Sequence, residues 1–133
     1  MPYVTAVLVA GNGAQYLPAT IVALAAQTRR PDRVIAVDAG SSDGSSAILR
    51  DRLGADAVVI AVPRSSMTQA ATTALRRIEA RDDEWFWIIG HDSAPHRRAL
   101  ESLVGAVEVS PSVVIAGPKL MRWDEPETLV GFG

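Results

Sequence analysis

Cysteine is absent from the 133-residue sequence. That one absence excludes a disulfide framework, a thiolate zinc site, an iron–sulfur cluster and a cysteine nucleophile, and it makes a reducing compartment, the cytoplasm, the expected location. Positive charge is scarce as well: 13 Lys+Arg stand against 15 Asp+Glu, and Lys119 is the only lysine. Without a basic excess the chain cannot neutralise a run of backbone phosphates, so nucleic acid is not expected as a partner. Long apolar runs are missing too. The first one ends at Gly11 with no basic stretch ahead of it, so neither a signal peptide nor a membrane span is expected. What remains is 48% hydrophobic and 21% charged, enough apolar side chain for the core of a single domain spanning residues 1–133.

The apolar residues fall into an alternating order. Residues 5–9 form a continuous apolar run that reads as a strand buried on both faces. After Gly11-Asn12-Gly13, Pro18 suits a first helical turn, and Ile21, Leu24 and Ala25 recur at helical spacing until Gln27. A strand follows at residues 33–37. The turn of Gly40, Ser41, Ser42 and Asp43 then caps a helix that buries Ile48, Leu49 and Leu53. Residues 57–62 read as strand three, Ala71, Ala74, Leu75 and Ile78 as a third helix, residues 85–89 as strand four, and Leu100, Leu103, Val104 and Val107 as a fourth helix. Residues 113–116 read as a fifth strand, and residues 121–133 show no clear period. Strands alternating with helices predict an α/β fold with a parallel sheet, in which the loops after Val9, Val37, Val62 and Ile89 share one edge, the edge where such sheets bind ligands.

Three acids fall on that edge. Asp38 follows strand two and Asp92 follows strand four. Either carboxylate can accept from a ribose hydroxyl or a base N–H, or hold a divalent cation beside a diphosphate, while the alternative for Asp38 is to brace its own turn. Asp43 is explained by a helix cap. Arg64, after strand three, can meet a base or a phosphate, and His91, just before Asp92, can be a ligand or a surface residue. Other arginines come as the pairs Arg29-Arg30, Arg76-Arg77 and Arg97-Arg98, which make no single patch. The Trp85-Phe86-Trp87 run alternates across a strand and reads as packing. Other nucleotide and hydrolase signatures are missing: Tyr16 stands where a dinucleotide fingerprint needs its third glycine, Lys119 lies in no P-loop run, and no Gly-x-Ser-x-Gly elbow occurs.

These residues carry a resemblance. Asn12, Tyr16-Leu17, Gln27-Thr28 and the string Asp38-Ala39-Gly40-Ser41-Ser42-Asp43-Gly44-Ser45, with residues 85–95, resemble the family-2, GT-A type glycosyltransferases. The resemblance implies a Rossmann-like three-layer domain with a mainly parallel sheet. It implies transfer of a sugar, with inversion, from a nucleoside-diphosphate sugar to an acceptor hydroxyl, assisted by Mg²⁺ or Mn²⁺. It places the nucleotide along Val9, Gly11, Asn12, Asp38, Arg64 and His91, and the metal on Asp92. The chain departs from the family pattern at three contacts: Gly11 stands where an aromatic often stacks on the base, Ala39 replaces a frequent second acid, and His91 replaces the first acid of the pair that ends strand four.

The resemblance covers only the nucleotide-binding half of such an enzyme. The catalytic base and the acceptor side are expected beyond residue 133, so this chain reads as a fragment that binds its donor without turning it over, and Asp124 and Glu125 are poor substitutes for the base. The expected acceptor is a saccharide or a lipid-linked molecule of a cell-envelope polysaccharide, met at the inner face of a membrane through segments outside this sequence. A second reading is a non-catalytic nucleotide-binding or interaction module of the same fold.

Overall fold

The computed structural model describes residues 3–55, 57–109, 119–121 and 129–132. The elements follow the expected order: β1 (Tyr3–Ala10), α1 (Leu17–Ala25), β2 (Arg33–Ala39), α2 (Ser45–Leu53), β3 (Val58–Val62), α3 (Met67–Leu75), β4 (Glu84–Gly90) and α4 (Ala99–Val109). Four strands form one sheet in the order β3-β2-β1-β4, every pair parallel. β1 is central, with Val9 opposite Val37 on one side and Gly90 on the other. Its buried run needs no alternation because helices cover both faces.

Period-two geometry divides the strand residues between two cores. On one face Ala6, Leu8, Ala10 and Ala36 meet Leu17, Ile21 and Leu24 of α1 and Leu49 of α2. On the other, Val7, Val9, Ile35, Val37 and Val62 meet Ala70, Ala71 and Ala74 of α3. The chain crosses to the second face because from β3 it must return past β2 and β1 to lay β4 on the far side of β1, and a right-handed crossover in that reverse direction lies on the opposite side of the sheet. Trp85 and Trp87 pack beside Val4 with Leu100 and Val104 of α4, and Phe86 packs with the α3 cluster, so the aromatic run is packing, as expected.

Local signals set the helix starts. Pro18 occupies the first turn of α1. Ser66 and Gln69 form a reciprocal capping box at α3, Gln69 N–H donating to Ser66 Oγ and Ser66 N–H to Gln69 Oε1. At the amino end of the sheet a buried polar cluster joins three strands: the Arg33 guanidinium donates to both Glu84 carboxylate oxygens, at 2.8 and 3.1 Å, and to Thr5 Oγ1 at 2.9 Å, while the Thr5 hydroxyl donates to Glu84. The Glu84 side chain is fully buried.

Two expectations need amendment. The strand at residues 113–116 lies outside the described residues. Of the segment 121–133 read as aperiodic, Met121 and residues 129–132 belong to a separate antiparallel pair, β5 (Lys119–Met121) with β6 (Leu129–Phe132). Strands of three and four residues are too short to display an alternation in sequence. β2 also runs two residues further than predicted, so Asp38 lies within it, opposite Ala10 and Ala61, rather than after it.

Candidate functional site

All four strands being parallel, their carboxyl ends point one way, and the loops after them enclose a cleft of about 250 Å³. β1 contributes Val9 and Gly11, and β2 contributes Ala39. The loop after β3 adds Ser65, followed by Met67 at the start of α3, and the end of β4 adds Gly90, His91 and Asp92. One edge therefore collects all four expected loops.

Short polar side chains hold the first two loops together. Asn12 adopts a left-handed backbone, φ 54°, which asparagine tolerates better than most residues. Its N–H donates to Ser41 Oγ at 3.1 Å, and its Oδ1 accepts from Ser42 N–H at 2.7 Å. One residue on, Gly13 N–H donates to Ser45 Oγ at 2.9 Å, and that hydroxyl donates to Asp43 Oδ1 at 2.6 Å. Asp43 also accepts from Ser45 N–H and, through Oδ2, from Ala14 N–H. The Ser45 hydroxyl and N–H, with the Ala14 N–H, hold the Asp43 carboxyl below its usual range. Asp43 is not the cap that was expected, because α2 starts from Gly44 with no side-chain cap hydrogen bond; it instead joins the turn before α2 to the turn before α1. The string read in the sequence is the second half of this brace.

Gly40 explains the glycine of the same string. Its φ is +64°, and a Cβ there would lie 2.8 Å from the Arg64 backbone N. The loop after β3 packs directly on it. Asp38 is buried, and its Oδ1 accepts from Ser41 N–H at 3.1 Å. The turn-bracing alternative for Asp38 is therefore present in the structure, and its Oδ2 holds no hydrogen bond among the described residues.

The end of β4 is positioned by α1. The Thr20 hydroxyl donates to the His91 carbonyl at 2.6 Å. Just past the end of the helix, the buried Gln27 amide donates to the His96 carbonyl at 2.8 Å and accepts from Leu100 N–H at 3.1 Å. Thr28 N–H donates to the Arg97 carbonyl at 2.8 Å. Residues 91–98 are in this way strapped along α1. The His91 ring bridges to the first loop, where Gly11 N–H donates to its Nδ1 at 3.2 Å.

Of the residues singled out in the sequence, the cleft brings together Val9, Gly11, His91 and Asp92. Asn12, Asp38 and Arg64 do not line it. Asn12 is exposed and committed to the brace, Asp38 lies behind the Gly40 turn, and Arg64 is exposed beside the lining residue Ser65. Sequence reasoning missed Ser65 and Met67, for which the Ser66-x-x-Gln69 box was an available pointer, since it fixes where α3 begins. It also missed Thr20, Ser41, Ser42 and Ser45 as braces.

Metal-binding chemistry at this edge comes down to one carboxylate. No group of three or more His, Cys, Asp or Glu side chains that could hold a metal ion occurs among the described residues. Asp92 is exposed at the cleft. One carboxylate does not make a protein cage, but it suits a cation whose remaining ligands are phosphate oxygens and water, the arrangement magnesium favours.

Similarity to known proteins agrees with this architecture. The chain superimposes on TarS from S. aureus with a TM-score of 0.65 at 17% identity, covering 89% of this chain and 21% of that one. A shorter form of TarS, in complex with UDP-GlcNAc, gives 0.62 at 15% identity, over 92% and 41% of the two chains. Glucosyl-3-phosphoglycerate synthase from Mycobacterium tuberculosis, in complex with Mn²⁺, UDP and glucosyl-3-phosphoglycerate, gives 0.65 at 21% identity, over 92% and 45%. The chain thus spans less than half the length of these proteins. A 4-diphosphocytidyl-2C-methyl-D-erythritol synthase is equally similar in shape, with a TM-score of 0.69 at 11% identity, so the fold by itself does not select a reaction. No curated protein matches the sequence. The sequence does match the glycosyl transferase family 2 over residues 5–128, and with nearly its whole length inside that match the chain, an α/β GT-A type domain, belongs to glycosyl transferase family 2.

Proposed function

We propose that residues 1–133 are the donor-binding half of an inverting glycosyltransferase that moves a sugar from a nucleoside-diphosphate sugar to an acceptor hydroxyl. The observation that carries this reading is the cleft at the carboxyl edge of the parallel sheet, with His91 and Asp92 side by side on its wall, in a chain of glycosyl transferase family 2. Gly11 leaves the backbone after β1 open to a base or ribose, and Val9 supplies an apolar floor. Asn12 and Asp38 shape the loops around the nucleotide, Asp38 with one carboxylate oxygen to spare, and Arg64 stands at the rim to meet a phosphate. UDP-GlcNAc bound to one structural neighbour, and Mn²⁺ with UDP bound to another, support a nucleotide-sugar and a divalent cation as ligands.

Asp92 would hold Mg²⁺ or Mn²⁺ together with the diphosphate. Such an ion supplies compensation for the negative charge that develops on the departing diphosphate. Direct displacement also needs a base to take the acceptor proton. Among the described residues Asp92 is the only carboxylate lining the cleft and is assigned to the cation, so the base and the acceptor site are expected from outside these lining residues. A saccharide or lipid-linked acceptor of a cell-envelope polysaccharide, reached in the cytoplasm at the inner face of a membrane, completes the reading. No helix among the described residues is long and apolar enough to cross a membrane, so segments other than these would make that contact.

Titration with UDP-sugars and GDP-sugars, with and without Mn²⁺, tests the proposal. Metal-dependent binding of one nucleotide class is expected. Failure of every nucleotide-sugar to bind under both conditions would overturn the proposal and leave an interaction module of the same fold.

A further inference from the structure

His91 occupies the cleft wall in a manner that its sequence position does not announce. The Gly11 N–H donates to its Nδ1 at 3.2 Å. A ring nitrogen that accepts a backbone N–H carries a lone pair and no proton, so in the neutral imidazole the proton resides on Nε2. The ring is also confined. A Cβ on Gly13 would lie 2.2 Å from His91 Cγ and 2.4 Å from Cδ2, so the ring lies against the glycine backbone and cannot move toward that loop. The His91 carbonyl is held by the Thr20 hydroxyl at 2.6 Å. With backbone, ring face and tautomer all set by neighbours, one polar atom remains. Nε2 has no hydrogen-bond partner among the described residues and is not sealed from solvent.

We infer that His91 is a pre-oriented hydrogen-bond donor to the nucleotide, its Nε2–H meeting an oxygen of the ribose or the diphosphate. The inference rests on the donor-binding reading above and adds the chemical sense of the contact. A carboxylate at this position could only accept, and beside Asp92 it would bring a second negative charge to the diphosphate. His91 donates and leaves Asp92 as the single acid of the pair. Donor and acid then act on different things: His91 on a ligand oxygen, Asp92 on the cation that the ligand carries. Gly11 and Gly13 are positioning residues in this scheme, the first by fixing the tautomer and the second by making room for the ring.

Nitrogen-15 spectra of the histidine-labelled chain, recorded with the ring neutral, give the tautomer directly, with His91 assigned by the signals lost in His91→Gln. The Nε2–H form is expected in the free chain, and its Nε2 signal is expected to shift on saturation with UDP or GDP and Mg²⁺. His91→Phe keeps the ring volume and should bind the nucleoside diphosphate about tenfold more weakly, the usual size of one lost hydrogen bond, with its Mg²⁺ dependence unchanged. His91→Gln, whose amide both accepts and donates, should stay within about threefold of the unaltered chain. Nucleoside alone and inorganic pyrophosphate separate the two oxygen sources, because only the ligand that carries the contact weakens in His91→Phe. An Nδ1–H tautomer, or unaltered affinity in His91→Phe while the unaltered chain binds normally, would overturn this inference alone. Absence of any nucleotide binding by the unaltered chain, whatever its tautomer, would overturn the functional reading and the ligand with it.

Discussion

At the amino end of the four-stranded sheet, Arg33, Glu84 and Thr5 satisfy one another inside the protein, while at the carboxyl end Asp38, His91 and Asp92 each keep a polar atom that no neighbour among the described residues takes. The same strands supply both sets. Glu84 begins β4 and Asp92 follows its end; Arg33 begins β2 and Asp38 nearly closes it. At the amino end the side chains are long and meet across strands, so a buried carboxylate gains a guanidinium, a hydroxyl and the Arg81 N–H. At the other end Asn12, Ser41, Ser42, Asp43, Ser45 and Thr20 tie loop to loop and leave Asp38 Oδ2, His91 Nε2 and the Asp92 carboxylate to a ligand. Polar groups at one end hold strands in place; at the other, their spare lone pairs and protons are what a ligand can use.

The largest way to break this contrast is to unpair Glu84. Arg33→Leu leaves a fully buried carboxylate with only the Thr5 hydroxyl and the Arg81 N–H, and we expect a loss of about 3 kcal/mol of stability, the low end of the range for a broken buried pair. Denaturant unfolding measures it. Nucleotide affinity of the folded fraction should not change, because the cluster lies at the opposite end of the strands from the cleft. A large change in affinity would show that the two ends are coupled.

Acid titration sharpens the same point. Burial raises the Glu84 pKa, but the Thr5 hydroxyl, the Arg81 N–H and the Arg33 guanidinium outweigh it and hold the carboxyl below its usual range. A group depressed in the folded state binds its proton more readily when unfolded. Its stabilisation is therefore complete above about pH 5 and is lost as pH falls through and below about pH 4. Unfolding free energy measured against pH should show this acid limb, and in Glu84→Gln the limb should be shallower. An identical limb in both proteins would assign acid sensitivity to other carboxylates.

At the cleft the expected effects move from stability to binding. Asp92→Ala should cost roughly tenfold in Mn²⁺-dependent nucleotide affinity, about 1.4 kcal/mol, while folding stability stays within about 0.5 kcal/mol as for other exposed sites. Retained Mn²⁺ dependence in that variant would remove Asp92 as the metal ligand. Asp38→Asn is the finest test. Its Oδ1 can still accept from Ser41 N–H, so stability should fall by less than about 1 kcal/mol. Affinity should drop only if the free Oδ2 serves the nucleotide. A lower melting temperature at constant affinity would make Asp38 a turn residue alone.

Much of this molecule was legible in its residues. The apolar runs placed the four strands of the sheet within two residues and the helices in their order, because strand and helix periods are local properties, although Ile78, read into the third helix, lies past its end at Leu75. Asp92 was found by position, as a carboxylate just past a strand end. Asp38 was placed one step too late, since an aspartate is a poor marker of strand continuation. β2 extends through it because β1 and β3 pair with it on both sides. The β5–β6 pair had no signal at all in strands of that length.

By itself, the sequence determined the alternation of strands and helices, the shared edge of their loops and the family string from Asp38 to Ser45. Tertiary structure alone decided which polar groups meet. Arg33 and Glu84 lie 51 residues apart, Asn12 and Ser42 30, Gly11 and His91 80, and nothing in either local segment encodes its partner. Periodicity acts over a few residues, whereas these pairs exist because the strand order β3-β2-β1-β4 sets β1 between the strand that follows it and one that returns from 70 or more residues away. That order brings Gly11 to the end of β4, and there a backbone N–H decides which nitrogen of His91 carries the proton.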